Sequence, residues 1–258
     1  MENQNEDSYL SSVKNALRIM QCFSVDEPEK KVGEIATKLG INKSTVSRTL
    51  ATLASEGFVM KNPETKNYRL GLTILTLSGV VNTQFDIYQE SQPVLTKLVQ
   101  TTGETAHISI LDHDEVIYLQ KIECSHPSKV LTNIGRRNPP YCTSSGKVLL
   151  AHGENEIVER VISKGLKKIT SKTIVDPEIF HQHLTQIKES GYAVSIEEFS
   201  EGVNSIAAPI YDYRGKVIAA LAIVGPKQRI QSTKLHELIK KVIHGAMEIS
   251  SRMGYRKR

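Results

Sequence analysis

The sequence predicts an α+β protein with a small helical N-terminal domain, a linker helix and a larger C-terminal domain. From Val32 to Leu53 the apolar residues recur with the period of a helix, whereas from Glu104 onward they follow the period of a strand. The chain has 258 residues, enough for two domains that each bury a core. Since the later strands come in runs with helices set apart, we expect a sheet with its helices on one side.

Composition excludes several classes of protein. With 39% hydrophobic and 24% charged residues, the chain is neither depleted enough for disorder nor apolar enough for a membrane protein. The first ten residues are polar and acidic and lack the parts of a signal peptide, so we expect a cytoplasmic protein with no membrane partner. The three cysteines are odd in number and widely spaced, which argues against a disulfide framework. The sequence indicates no cofactor.

Three short helices are predicted at the start, after a flexible tail over residues 1–9. Val13, Leu17 and Met20, together with Ala16 and Phe23, mark the apolar side of the first helix. The second helix begins near Val32 and ends at Gly40. Asn42 is suited to cap the third helix, whose apolar stripe consists of Val46, Leu50 and Leu53.

The outward face of the third helix is small, hydroxylic and cationic. At 3.6 residues per turn, Ser44, Arg48 and Ser55 lie opposite the apolar stripe, with Thr45 and Ser47 on the flanks. Two short helices joined by a tight turn, the second carrying hydrogen-bond donors near its start, form a helix-turn-helix. In that motif the second helix enters the major groove of DNA.

A wing follows the third helix. Gly57 to Met60 and Asn67 to Leu70 are predicted strands around a turn-rich tip. The net charge of the chain is +5, and cations are concentrated from Lys38 to Arg69, as phosphate contacts require. The candidate DNA-binding residues are Lys43, Ser44, Thr45, Ser47, Arg48, Lys61, Lys66 and Arg69.

The remaining chain is divided as follows. Residues 10–71 form the winged domain, residues 72–84 a linker helix, and residues 85–254 the C-terminal domain. Pro93 indicates a helix start or a kink within the segment after the linker. Expected strands are Thr105 to Leu111, Val116 to Ile122, Val130 to Ile134, Tyr192 to Ile196, Ser205 to Tyr211 and Lys216 to Val224; expected helices are Gly146 to His152, Glu154 to Ser163, Pro177 to Ser190 and Lys234 to Met253.

The stretch Gly191 to Asp212, GYAVSIEEFSEGVNSIAAPIYD, carries the most specific pattern. Together with Tyr141 to Ala151 (YCTSSGKVLLA) and the triplet Val224-Gly225-Pro226, it resembles the IclR family of bacterial transcriptional regulators. The similarity runs from about Tyr9 over nearly the whole chain. The signature positions that match are Gly191, Ser195, Glu198, Ser205, Ile206, Ala207, Ile210, Tyr211 and Asp212.

This resemblance implies a winged helix-turn-helix that binds double-stranded operator DNA and a GAF-like α/β domain that binds a small organic-acid effector. It also implies homodimers that can pair into tetramers. In relatives with small carboxylate ligands, the pocket includes the segment that matches Thr143 to Gly146. Those relatives also have an acidic residue at the position of Ser195 and hydroxyl side chains at the positions of Ala222 and Val224. The implied effector-binding residues are Thr143, Ser144, Ser145, Gly146, Ser195, Ser205, Ala222 and Val224.

Two further inferences concern the effector. Arg136 lies on the loop before Thr143, and a helix start with free amides favours an anionic group, unless Thr143 merely caps that helix. Ala222 and Val224 would give an apolar wall, so we expect an acid with a hydrophobic body rather than one of glyoxylate size.

Three other motifs could suggest catalysis, but none has the pattern that a catalytic site requires. Thr143 to Lys147 resembles the end of a phosphate-binding loop, but the first Gly and the final Ser or Thr are missing. Cys142 with His107, His126 or His152 matches no zinc spacing. Glu197 and Glu198 are adjacent and should point to opposite faces of a strand, with Glu198 accepting backbone amides of a loop.

We therefore interpret the chain as a ligand-responsive DNA-binding regulator, a repressor rather than an activator, and not an enzyme. The alternative is a small-acid sensor or enzyme domain whose winged helix contacts a partner protein. That alternative lacks a nucleophile elbow, a metal-ligand set and a nucleotide loop.

Overall fold

The computed structural model describes residues 10–24, 26–84, 86–125 and 133–256, apart from the side chains of residues 82–84 and 232. The chain divides into two compact units, Met1–Gln84 and Phe85–Arg258. The predicted tail over residues 1–9 lies outside the described residues. No described helix has the length and apolar character needed to cross a bilayer.

The first unit is a winged helix-turn-helix followed by a helix, as predicted. Its core joins Ile19, Ile35, Val46, Leu50 and Tyr68. The two strands of the wing pair antiparallel, with Val59 opposite Leu70. The elements are α1 Ser11–Met20, α2 Val32–Leu39, α3 Lys43–Ser55, β1 Val59–Lys61, β2 Tyr68–Leu70 and α4 Leu72–Gln84.

The predicted apolar side of α1 is wrong for Val13 and Leu17, which are 52% and 51% exposed, whereas Phe23 is buried as predicted. The residue that α1 itself buries is Ile19. Ile19 comes two residues after Leu17, which at about 100° per residue places the two side chains on nearly opposite sides of the helix. The helix therefore buries its C-terminal end and leaves a second apolar stripe facing outward.

The second unit is a six-stranded antiparallel sheet with helices. The strand order is β5-β4-β3-β8-β7-β6, so the last hairpin lies between the first hairpin and the edge strand β6. A short 3₁₀ turn, Pro140–Cys142, precedes α6. The elements are α5 Asp86–Thr102, β3 Thr105–Asp112, β4 Glu115–Ile122, β5 Arg137–Asn138, α6 Ser144–Ala151, α7 Asn155–Ser163, α8 Pro177–Ser190, β6 Ala193–Ile196, β7 Val203–Tyr211, β8 Val217–Pro226 and α9 Ser232–Arg252.

Helices cover both faces of this sheet, so the expectation of helices on one side is wrong. Leu221 and Ile223 of β8 belong to a core that also contains residues of α5 and α9. Ala220 and Ala222, on the opposite face of the same strand, belong to a second core with residues of α6, α7 and α8. A strand buried on both faces shows a continuous apolar run rather than an alternation, and the run from Val217 to Val224 is of that kind.

Two other sequence expectations need comment. Of the strand expected at Val130 to Ile134, residues 130–132 lie outside the described residues, and Ile134 is in a turn. β5 lies instead in the segment expected to be a loop, where Asn138 pairs with Val116. The helix α5 runs through Pro93 without ending there.

An ion pair with a buried carboxylate lies at the end of β8. The guanidinium of Arg229 donates two hydrogen bonds of 2.7 Å to the carboxylate of Glu104, which is almost fully buried. A Cβ atom at Gly225 would lie 2.0 Å from Glu104 Oε2. The glycine of the Val224-Gly225-Pro226 triplet is thus required by the position of this carboxylate.

We predict that Gly225→Ala lowers the free energy of unfolding by about 1–3 kcal/mol, because the methyl group and the Glu104 carboxylate overlap. Urea unfolding followed by circular dichroism measures this change. In a Glu104→Ala background the overlap is gone, so the same substitution should cost less than about 0.5 kcal/mol. Equal costs in both backgrounds would show that another contact makes the glycine necessary.

Candidate functional site

The outward face of α3 is set by the two side chains that it buries. Val46 and Leu50 are fully buried, which turns Ser44, Ser47 and Arg48 away from the core. All five candidate residues on this helix are exposed: Lys43, Ser44, Thr45, Ser47 and Arg48.

The start of α3 is open to a ligand. Asn42 occupies the capping position, as predicted, but its side chain accepts no hydrogen bond from the helix, contrary to expectation. In the described part of the chain, the Ser44 and Ser47 hydroxyls and the Arg48 guanidinium have no protein partner, whereas Thr49 Oγ1 donates to the carbonyl of Thr45. The N-terminal half of the helix therefore offers free donors where an anionic backbone would be attracted.

The wing displays cations around a rigid tip. Asn62 Oδ1 accepts hydrogen bonds from the amides of Glu64 and Thr65 at 2.9 and 3.2 Å, and Lys66 adopts a left-handed conformation. The ammonium of Lys61 lies 5.5 Å from the centre of the Tyr68 ring. The remaining DNA candidates, Lys61, Lys66 and Arg69, are all exposed. The first unit thus carries a cationic, donor-rich surface on α3 and the wing.

The second unit holds a small cavity of ≈ 40 Å³ at the start of α6. The lining consists of His107, Tyr118, Thr143, Ser144, Ser145, Ser195, Phe199, Ser200, Val203, Ser205 and Val224. A space of this size holds about one or two water molecules, since each occupies about 30 Å³ in the liquid. It is smaller than the acid with a hydrophobic body that the sequence led us to expect.

Six of the candidate effector residues line this cavity and three do not. Arg136, Gly146 and Ala222 are absent from the lining. Ala222 is packed in the core against the helices. At Gly146 a Cβ atom would lie 2.3 Å from the carbonyl oxygen of Pro140, so this glycine allows the 3₁₀ turn to approach α6. Burial raises the pKa of the Tyr118 phenol, and the charge of Arg136 partly offsets that rise, so Arg136 lies near this lining residue without lining the cavity itself.

The start of α6 combines a cap with free donors. Thr143 Oγ1 accepts a hydrogen bond from the amide of Gly146 at 3.1 Å, so Thr143 caps the helix. Within the described residues, the amides of Ser144 and Ser145 donate to no protein acceptor. Both residues stand at the N-terminus of α6 and line the cavity. Free amides at a helix N-terminus stabilise an anionic group.

The hydroxyls around the cavity have defined polarity. Ser144 Oγ donates to Ser205 Oγ at 2.8 Å, which leaves the proton of Ser205 available for a ligand. Ser195 Oγ donates to the carbonyl of Cys142 at 3.1 Å and therefore offers only lone pairs to the cavity. The cavity thus presents mostly donors, with Ser195 as an acceptor.

His107 is a lining residue that sequence reasoning treated as structural. Its Nε2 atom lies 3.3 Å from Ser145 Oγ, and burial lowers the pKa of the imidazole to about 3, so the ring is neutral. The ring of Tyr118 is 4.6 Å away, and burial raises the pKa of that phenol to about 12. The available signal was the alternation of Thr105, His107 and Ser109, which puts three polar side chains on one face of β3.

A charged pair lies beside the lining. Lys147 Nζ donates to Glu198 Oε1 at 2.5 Å, and both side chains are buried. The main partner of this carboxylate is therefore a lysine, not the loop amides that we expected; the amide of Gly202 donates to Glu197 instead, at 2.7 Å. Glu197 and Glu198 do point to opposite sides, since Glu197 contacts Lys227 at the surface.

The other chemistry considered from the sequence finds little support in the geometry. Burial raises the pKa of the Cys142 thiol to about 12, which keeps it protonated and a poor nucleophile or metal ligand. Among the described residues, no three His, Cys, Asp or Glu side chains form a cluster. His126 lies outside the described residues.

Comparison with known proteins agrees with this architecture. Residues 12–63 match the IclR helix-turn-helix domain, and residues 80–251 match the bacterial transcriptional regulator IclR C-terminal domain. The HTH-type transcriptional regulator XynR of Escherichia coli is 33% identical over 247 residues, which cover 95% of this chain and 98% of XynR. The regulator KdgR of the same organism is also 33% identical, over 99% of this chain and 98% of KdgR.

Solved structures of regulators share the fold. An IclR transcriptional regulator from Alicyclobacillus acidocaldarius superposes with a TM-score of 0.85 at 29% identity and covers 95% of this chain and 100% of its own. An IclR homologue from Microbacterium hydrocarbonoxydans in complex with 4-hydroxybenzoate has a TM-score of 0.84 at 25% identity, over 94% and 99% of the two chains.

These matches cover both units, and the curated relatives are named as DNA-binding regulators of transcription. The exposed donors of α3 and the cationic wing lie in the unit that matches the helix-turn-helix domain, and the cavity at the start of α6 lies in the unit that matches the C-terminal domain. The chain belongs to the IclR family and is a DNA-binding transcriptional regulator with an effector domain.

Proposed function

We propose that the protein is a repressor that binds a palindromic operator as a homodimer or a dimer of dimers, and that a small organic acid controls its operator affinity. The observation that carries this proposal is the pair of free amides at Ser144 and Ser145. They lie at a cavity whose described lining consists of uncharged side chains. Residues 10–71 would bind DNA, residues 72–84 would link, and residues 85–254 would hold the effector. A protein that reads operator DNA would act in the cytoplasm.

On DNA, α3 would lie in the major groove. Arg48 is exposed and without a protein partner in the described chain, so it can donate to a guanine edge. The free amides at the start of α3, with Lys43, would meet a phosphate. Lys61, Lys66 and Arg69 would contact the backbone beside the groove and contribute affinity without sequence preference.

In the cavity, the effector's carboxylate would accept hydrogen bonds from the two α6 amides and from the Ser145 and Ser205 hydroxyls. Ser195, as an acceptor, would receive a ligand hydroxyl. Because the cavity is small, a 2-hydroxy acid of glycolate size is the candidate that requires the least movement of its wall. Gly146, Arg136 and Ala222 would act through their neighbours, not by touching the ligand.

A larger acid with an apolar body is the second candidate. Phe199, Val203 and Val224 form an apolar wall, and a family member binds 4-hydroxybenzoate. Such a ligand requires this wall to move outward. We propose no catalytic role, since the thiol of Cys142 is buried and protonated; this also weakens the alternative of an enzyme domain that uses its winged helix for protein contacts.

Assembly would use the apolar surfaces of the first unit. The outward residues of α4 are Leu72, Leu75, Leu77, Val80 and Val81, and those of α1 and the residue before it are Leu10, Val13 and Leu17. Leu75 is 70% exposed and Leu10 is 73% exposed. Monomeric proteins rarely expose apolar patches of this extent, so we propose that a second copy covers them.

Our prediction for DNA binding is that Arg48→Ala weakens operator binding by about 1–3 kcal/mol and relaxes sequence preference, because a base contact is lost. Lys66→Ala should weaken binding to all DNA about equally and reduce the salt dependence, because a phosphate contact is lost. Fluorescence anisotropy on operator fragments selected from genomic DNA, at several salt concentrations, measures both effects. Lys188→Ala, an exposed lysine of α8, is the control and should change neither. Unaltered selectivity of Arg48→Ala would contradict the assignment of the groove face.

For assembly, we predict that Leu75→Lys in the full chain shifts the protein towards smaller species, since a charge cannot be buried in an apolar interface without a partner. Sedimentation velocity over a range of concentrations reports the shift. Thr185→Lys, at an exposed polar position of α8 away from these surfaces, should leave the distribution unchanged. If wild type sediments as a monomer at high concentration, the interface on α4 does not exist.

For the effector, we predict that a matching acid at about 100 times its dissociation constant adds roughly 2.7 kcal/mol to the free energy of unfolding and also changes operator affinity. Thermal shift with glycolate and 4-hydroxybenzoate compares the two candidate sizes. Affinity should be constant from pH 5.5 to 8, because His107, with a pKa of about 3, stays neutral throughout that range.

Ser145→Leu should abolish this response, because the larger side chain fills the cavity beside the free amides. Ser163→Leu, on the exposed surface of α7, is the matched control and should respond like wild type. A thermal shift that survives Ser145→Leu would place the effector elsewhere.

A further inference from the structure

Lys147 is the buried charge around which the walls of the cavity are arranged. Its ammonium is within hydrogen-bond distance of three acceptors: Glu198 Oε1 at 2.5 Å, the carbonyl of Val194 at 3.3 Å and His183 Nε2 at 3.5 Å. Burial, together with the charge of Lys147, lowers the pKa of His183 to about 4, so its ring is neutral and can accept. Three acceptors match the three protons of the ammonium.

This arrangement ties together four elements. Lys147 is on α6, His183 on α8, Val194 on β6, and Glu198 in the loop that leads to β7. The carbonyl of Glu198 is held in addition by the hydroxyl of Thr173, which donates to it at 2.7 Å. The loop is therefore fixed at Glu198 through both its side chain and its backbone.

The partners of Lys147 adjoin the cavity lining. Val194 precedes Ser195, Glu198 precedes Phe199 and Ser200, and Lys147 itself lies one helical turn after Ser144. Lys147 is not part of the lining. Its position thus sets the separation between the donors at the start of α6 and the apolar wall, without a contact to whatever occupies the cavity.

Stability alone does not account for this pair. Burial lowers the pKa of Lys147 and raises the pKa of Glu198, both towards the neutral forms, although each group partly offsets this shift in the other. Desolvation thus outweighs the attraction within the pair. Well-packed apolar residues commonly replace such pairs with no loss of stability, so a role in geometry is the better explanation.

We propose that Lys147 is the positioning residue of the effector pocket: by holding Glu198, it keeps the wall from Phe199 to Val203 close to α6 and so limits the size of acid that the pocket accepts. This inference rests on the proposed function, because it takes the cavity to be the effector pocket. When the ion pair between Lys147 and Glu198 is removed, the wall moves outward, and the pocket then binds larger acids better than smaller ones.

The test uses the full chain with Lys147→Met and Glu198→Leu combined, which keeps the site filled and uncharged. Amide hydrogen exchange read by mass spectrometry should rise at least tenfold over residues 199–203. The ratio of glycolate to 4-hydroxybenzoate affinity, measured by calorimetry, should fall at least tenfold. The control replaces an ion pair of the same unit that has a buried carboxylate and a partly exposed cation, Glu104→Leu with Arg229→Met, and should change neither the exchange over 199–203 nor the ratio.

The possible outcomes separate the two proposals. Unchanged exchange over residues 199–203 overturns the positioning role, whether or not an acid binds. Faster exchange in the variant, with no acid bound by wild type, supports the positioning role but removes the effector assignment. If the double variant does not fold, Glu198→Gln is used, which keeps an acceptor for Lys147 and should raise exchange by a smaller factor. If that variant also fails to fold, the pair is needed for folding and the proposal is overturned.

Discussion

The burial of both faces of β7 and β8 is the constraint on which the second unit depends. The two strands lie side by side in the sheet, and each contributes side chains to two cores. On the face towards α6 these side chains are small, with Ala207 opposite Ala222, so a helix can approach the sheet closely. Every residue of α6 is consequently buried, and its N-terminus ends at the cavity instead of in solvent. The free amides of Ser144 and Ser145 can donate to a molecule in the cavity only because the packing of α6 places them there.

Burial also explains the electrostatics of the cavity. A neutral imidazole, a protonated phenol and several serine hydroxyls line it, and the nearest charged pair, Lys147 with Glu198, is turned away from the space. An anion in such a site is stabilised by oriented dipoles, not by an opposite charge. Recognition of such an anion would depend on the direction of each hydroxyl, and the hydrogen bonds of Ser144 and Ser195 determine two of these directions. This is a stricter geometric requirement than a lysine or arginine would impose.

Regulation adds one further physical requirement. An effector can change operator affinity only if it binds better to one conformation of the protein than to another. A pocket with a wall tied by a buried ion pair meets this requirement in a simple way, because a ligand that fits the closed wall and a ligand that opens it favour different conformations of the loop from Glu198 to Val203. The exposed apolar surfaces of α1 and α4 are where, in our proposal, two copies of the winged unit would pair to bind one palindromic site.

Local patterns in the sequence were enough to predict most of the elements. The helical period from Val32 to Leu53, the turn at the wing and the start of α8 at Pro177 depend on neighbours along the chain, and the structure confirms them. The exposed side of α3 followed from the same reasoning, because one buried stripe determines where the other side chains point. The family signature added the cavity segment from Thr143 to Ser145.

Contacts between distant residues decided the rest. From the sequence we predicted that Val13 and Leu17 of α1 are buried and that helices cover one face of the sheet, and both predictions are wrong. A periodic pattern does not show which of two apolar surfaces will pack against another element. The sequence alone missed His107, since the role of that residue depends on Ser145, which is 38 positions away along the chain. It gave Glu198 the wrong main partner for the same reason: Lys147 is 51 residues away, and only the packing of α6 against the sheet brings the two charges together. Residue types and local periodicity determined the elements and the exposed face of α3, whereas the cavity, its polarity and its size were decided by tertiary packing.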